Sequence, residues 1–204
     1  MDTMDLYRRA QGGFDAVLAA VRDDQWDTPS ACTEWSVRDV AGHVVWGQRQ
    51  LRAWASGEDY AETAGAPGAP HPAVLAGTNP VETWRAAAVA ELTEEELRRP
   101  VSLPGLGEIP VAGIVTLLIT DLVAHSWDIG SAAGQDVRLP PELVDVAFTW
   151  ARANAVRRPG FFGPELAPPG GADEQTRMLA FLGRRAWAPV PAGVSGSRRG
   201  GSHR

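Results

Sequence analysis

The sequence predicts an all-α protein, a helical bundle with additional short helices and one long loop. Three observations predict it. Apolar residues recur at helical spacing in one segment after another. No run of alternating strands interrupts the order of helix after helix. Pro, Gly and Ser stand where those segments start and stop. At 204 residues with 44% hydrophobic content, the chain suits one domain with a packed core. That domain is expected over residues 1–188, followed by a Gly/Ser-rich tail over 189–204 expected to be disordered.

The first helix is predicted from Asp2 to Arg22, with Leu6, Phe14, Val17, Leu18 and Val21 on one stripe. The second starts near Ser36, which can cap it, with Asp39 three residues later to meet free amides. Val37, Val40, Val44 and Leu51 continue its apolar face. Gly57 to Gly77 reads as a loop, long for a compact domain and expected either to cover a site or to be mobile. A third helix is predicted from Asn79 or Pro80 to Leu97. Pro100 to Pro110 reads as a connector with an extended stretch at Val101–Leu103. A strongly apolar fourth helix covers Val111 to Ala133, a fifth runs from Pro140 or Pro141 to Arg157, and a shorter one covers Asp173 to Leu182.

Composition excludes several classes of function. The formal net charge of -6 argues against a nucleic-acid binder, which needs a basic face. All 19 basic side chains are arginine, so no lysine is present for a Schiff base or a phosphate-binding loop. The single cysteine, Cys32, rules out an internal disulfide and a cysteine metal cluster. The longest apolar run is interrupted by Gly113, Thr116, Thr120 and Asp121, so no membrane span is expected. The first ten residues lack an apolar signal core, and a cytoplasmic location is expected.

The chemistry concentrates on two of the four histidines. His203 falls in the tail and His71 in the long loop, whereas His43 and His125 sit inside apolar helices. Asp121 precedes His125 by four residues, so both share one helical face. Two ligands at that spacing can grip one ion, and His43 can add a third from another helix. Two nitrogens and a carboxylate oxygen suit Zn²⁺, Ni²⁺ or Fe²⁺, and three ligands leave a coordination position open. The same residues also admit a plainer reading, as core histidines and a simple ion pair. Asp128, seven residues after Asp121, can orient a ligand or serve as a cap or ion pair. Trp35, Trp46 and Trp127 flank the ligand segments and can line an apolar pocket or simply fill the core. Arg38 and Arg49 lie on the His43 helix with surface solvation as the expected role, and Cys32 is expected to be structural.

Thr33-Glu34-Trp35-Ser36-Val37-Arg38-Asp39-Val40-Ala41-Gly42-His43-Val44 resembles a signature of the DinB-like helical-bundle superfamily. Asp121-Leu-Val-Ala-His125-Ser-Trp127-Asp128 resembles a later segment of its actinobacterial branch, related to the mycothiol-dependent maleylpyruvate isomerase N-terminal domain. Phe162-Gly163-Pro164 and Arg177 to Arg184 add a third match, and the matches fall in the right order across most of Asp2 to Arg185. The resemblance implies a four-helix bundle that holds a divalent metal, Zn²⁺ foremost, with His43, Asp121 and His125. Relatives carry His or Glu where this chain has Asp121, a shorter carboxylate. The chain is also expected to be too short for the extra C-terminal domain of the isomerase.

The activity so implied is a metal-dependent thiol S-transferase or isomerase, using mycothiol or a similar low-molecular-weight thiol on a small electrophile. Two alternatives remain open from the residues: a metal-dependent hydrolase with Asp128 or Glu34 as base, and a non-catalytic metal-binding bundle. A small-molecule substrate is the expected partner, with no nucleic acid and no membrane. Bundles often pair as homodimers, although no exposed heptad marks a dimer face here.

Overall fold

Five of the seven α-helices among the described residues start where a side chain satisfies free backbone amides. The computed structural model describes residues 2–32, 34–103, 107–158 and 160–188, so the predicted tail and His203 lie outside the described residues. Helix α1 spans Thr3–Ala19, and the Asp2 carboxylate accepts from the Met4 N–H at 2.6 Å. Helix α2 spans Val37–Ser56 and opens on the expected box. Ser36 Oγ accepts from the Asp39 N–H at 3.1 Å, and the Asp39 carboxylate accepts from the Ser36 N–H at 3.0 Å. Helix α5 spans Val111–Ala132, α6 spans Pro141–Asn154 and α7 spans Glu174–Phe181. Helices α1 and α6 end about one turn before their predicted limits.

The bundle is all-α in character, as predicted. Helix α5 is its centre, packed by α1, α2 and α6, while α7 lies on α6. Phe14, Leu51, Ile114, Ile119, Leu122 and Leu143 fill the space between them and are fully or almost fully buried. By length and composition α5 could cross a membrane, contrary to the expectation that no apolar run is long enough. Its apolar window is instead 72% buried inside the fold, which is how a core helix behaves.

The third predicted helix is in fact two. Helix α3 covers Pro80–Ala87 and α4 covers Glu94–Arg98. Val89 is withdrawn from the helical ladder by buried side chains. Its N–H donates to Gln48 Oε1 at 3.3 Å, and its carbonyl accepts from Gln11 Nε2 at 3.1 Å. Thr93 then caps the new helix, with Glu96 completing the box. The extended stretch after α4 is also half of a hairpin. Strand β1, Pro100–Leu103, pairs antiparallel with β2, Gly107–Pro110, a partner the sequence reading did not foresee.

The long loop is laid along α2 rather than left in solvent. Pro72–Leu75 forms a 3-10 turn whose Ala73 N–H donates to the other Asp39 oxygen at 2.9 Å. Gly42 lets this turn approach closely, since a Cβ there would stand 1.9 Å from the Pro72 carbonyl oxygen. This contact puts the loop over the face of α2 that carries His43.

Candidate metal centre

His43 comes from the middle of α2, and Asp121 and His125 from one face of α5. The fold brings all three together: one ligand atom from each lies within 4.8 Å of the other two. Asp121 Oδ1 stands 3.3 Å from His125 Nε2 and 3.5 Å from His43 Nε2. The shorter carboxylate therefore does reach both rings. The two rings meet edge to face, 5.1 Å between centroids.

Each ring is held by its other nitrogen. His43 Nδ1 lies 2.7 Å from the Gly65 carbonyl, which can only accept, so Nδ1 carries the proton and Nε2 faces Asp121. His125 Nδ1 lies 2.9 Å from Asp128 Oδ2, with the same consequence for its Nε2. The chemistry of the donor set fits a divalent ion. Two donors on a tetrahedral ion with bonds of about 2.0–2.1 Å stand about 3.3–3.4 Å apart. The ring-to-carboxylate separations match this spacing and exceed the 2.7–2.9 Å of a charge-assisted hydrogen bond.

Electrostatics say the same. Burial acts to raise the Asp121 pKa, but His125 and His43 outweigh it and hold the carboxyl well below the usual carboxylate range. Burial likewise works against a charged His125, but the Asp121 carboxylate, with Asp128 and Cys32 beside Nδ1, raises its pKa well above the ordinary histidine value. The pocket favours a positive charge between these groups, whether a proton or a metal ion carries it.

Behind His125 lies a group that sequence reasoning saw only in part. Asp128 is fully buried. Arg184, from the turn after α7, donates to it through Nη2 at 2.8 Å and Nε at 3.2 Å. Cys32 Sγ–H donates to Asp128 Oδ2 at 3.1 Å and lies 3.9 Å from His125 Nδ1. Burial and then Asp128 push the Cys32 thiol pKa up. Cys32, His125 and Asp128 also cluster closely enough for an ion, but the Arg184 cation already supplies the positive charge there. Asp128 thus pairs with Arg184 and holds the His125 ring at once. Arg184 ends the third matched stretch of the sequence, but nothing local gave it a role, because its partner lies 56 residues away.

The long loop closes the other side. Trp35 Nε1 donates to the Ala69 carbonyl at 3.0 Å, and Trp46 Nε1 to the Glu62 carbonyl at 2.6 Å. Both indoles flank the His43 ring, at 5.0 and 6.2 Å between centroids. Trp127 is instead buried in the core and borders a separate cleft with Ser131 and Gln135. Arg38 pairs with Asp27 at 2.8 Å, and Arg49, His71 and Glu34 are exposed.

Residues 7–130 match the family described as mycothiol maleylpyruvate isomerase N-terminal domain. An uncharacterized protein found in two strains of Mycobacterium tuberculosis is 35% identical over 198 residues, covering 90% of this chain and 98% of its own. A crystal structure of a mutant mycothiol-dependent maleylpyruvate isomerase superposes with a TM-score of 0.54 at 16% identity, over 74% of this chain and 67% of that one. At that identity the likeness is one of fold.

Proposed function

The chain belongs to the mycothiol maleylpyruvate isomerase N-terminal domain family, and from that premise we propose that it holds a divalent metal with His43, Asp121 and His125 and acts as a thiol S-transferase or isomerase. Its thiol is mycothiol or a similar low-molecular-weight thiol, and its substrate a small electrophile. One observation carries the reading: Asp121 Oδ1 stands 3.3 and 3.5 Å from two imidazole Nε2 atoms whose rings are each fixed from behind.

Zn²⁺ is the first choice for this donor set, with Ni²⁺ or Fe²⁺ suited to the same ligands. A bound ion of this kind supplies Lewis acidity, which lowers the pKa of a thiol in its open position. The protein does the rest. Asp128 and the Gly65 carbonyl keep both rings in the Nδ1–H tautomer. The Asp121 carboxylate offsets positive charge at the centre. Trp35 and Trp46 screen His43 from water on the loop side. A hydrolase has less support, because Asp128 is committed to Arg184 and Glu34 is exposed.

Elemental analysis of protein purified without chelator tests the metal. About one ion per chain is expected, and none in the His43→Ala/Asp121→Ala/His125→Ala variant. Equal metal content in the two proteins overturns the ligand set. Loaded protein mixed with mycothiol and a panel of electrophiles tests the reaction. Thiol consumption no faster than without protein would leave a metal-binding bundle in place of an enzyme.

A further inference from the structure

We propose that Arg184 is a positioning residue for this centre, holding His125 in its ligand tautomer through Asp128; the inference rests on the metal reading above. A carboxylate as buried as Asp128 is costly unless it is paired and its lone pairs are filled. Helix α5 supplies it with only one partner side chain, His125. Arg184 supplies the counter-charge in fork geometry, with Nε on one oxygen and Nη2 on the other. That fork fixes the plane of the carboxylate, and so the direction from which Oδ2 meets His125 Nδ1.

Arg184 is itself fixed. Its Nη1 donates to the Leu182 carbonyl at 2.8 Å, and its backbone N–H to the Leu179 carbonyl at 2.8 Å. Gly183, at φ 86, turns the chain after α7 so that the next side chain enters the core. Its α-carbon packs on the backbone of Gly163, and a Cβ would stand 3.1 Å from the Gly163 α-carbon. The family match ends at residue 130. The centre is therefore completed by a segment outside the matched region, through the chain Arg184–Asp128–His125.

Two readouts test this on the full chain, with Arg184→Ala, Arg184→Gln and Arg184→Lys. The first is Zn²⁺ affinity by competition with a chromophoric chelator. Loss of such a support weakens metal binding about 10–100-fold, and Lys, which keeps the charge but not the fork, is expected to fall between wild type and Ala. The second is the His125 Nδ1 proton in ¹H–¹⁵N spectra of metal-free protein. It is expected as a downfield, slowly exchanging signal in wild type that broadens or exchanges faster in Ala and Gln. If Ala does not fold, Gln and Lys are judged on the same two readouts. Variants with wild-type affinity and an unchanged Nδ1 proton overturn the proposal. If wild type binds no Zn²⁺, the metal reading fails, and the Nδ1 proton still decides the role of Arg184.

Discussion

Tyr7 and Asp128 are both fully buried polar residues, and they solve that problem differently. Asp128 keeps its charge by meeting Arg184. Tyr7 stays neutral: its hydroxyl donates to Gln48 Oε1 at 2.6 Å, and burial raises its pKa above the ordinary 10.0. A raised folded pKa means that stability is whole below the unfolded value and falls as pH rises past it. Unfolding midpoints are therefore expected to drop above about pH 10 in wild type. Tyr7→Phe is expected to flatten that alkaline decline, at a cost of about 1 kcal/mol at neutral pH from the lost hydrogen bond. Thermal melts across pH would show it, and an identical alkaline limb in both proteins would contradict it. At this scale His43, Asp121 and His125 were legible in the sequence, because a polar residue on an apolar stripe stands out. The role of Arg184 was not, because the matched stretch it ends carries no sign of its distant partner Asp128.

Element starts followed the sequence at α2 and α6, where a cap or a proline defined them. Ser36 with Asp39 marked α2, and Pro141 marked α6. The Thr93–Glu96 box is a local sign of the start of α4 that the reading of one long helix passed over. The end of α3 has no such sign, since the residues around Val89 are ordinary helix formers. What breaks the helix is Gln11 and Gln48 on α1 and α2, claiming the Val89 backbone. The seat of the long loop on α2 depends on one small residue. Gly42→Ala would push a methyl into the Pro72 carbonyl. Such overpacking costs about 1–3 kcal/mol, and relief requires the loop to lift from α2. A lower urea midpoint is expected, together with weaker Zn²⁺ binding as the Gly65 carbonyl leaves His43. Unchanged values for both would show that the loop does not depend on this contact.

Across the whole molecule, the centre ties α2, α5, the long loop and the turn after α7 to one point. Under the proposed function a bound ion stabilises all of them by mass action. At a free concentration 100 times its dissociation constant the gain is about 2.7 kcal/mol, or roughly 5–10 °C in melting temperature for a chain of this size. Zn²⁺ is expected to raise the melting temperature of wild type by that amount, chelator to reverse it, and the triple ligand variant to show no shift. A wild-type melting temperature insensitive to both would count against the site.

By itself the sequence determined the helical stripes, the helix starts at their caps, and the shared face of Asp121 and His125. These follow from local periodicity and need no knowledge of what lies opposite. Tertiary structure alone decided which nitrogen of His43 faces the centre, and what holds Asp128, the neighbour on α5 that orients His125. The Gly65 carbonyl reaches His43 across 22 residues, and Arg184 reaches Asp128 across 56. Hydrogen bonds of that separation depend on the path of the loops and the packing of α7, which no local pattern encodes.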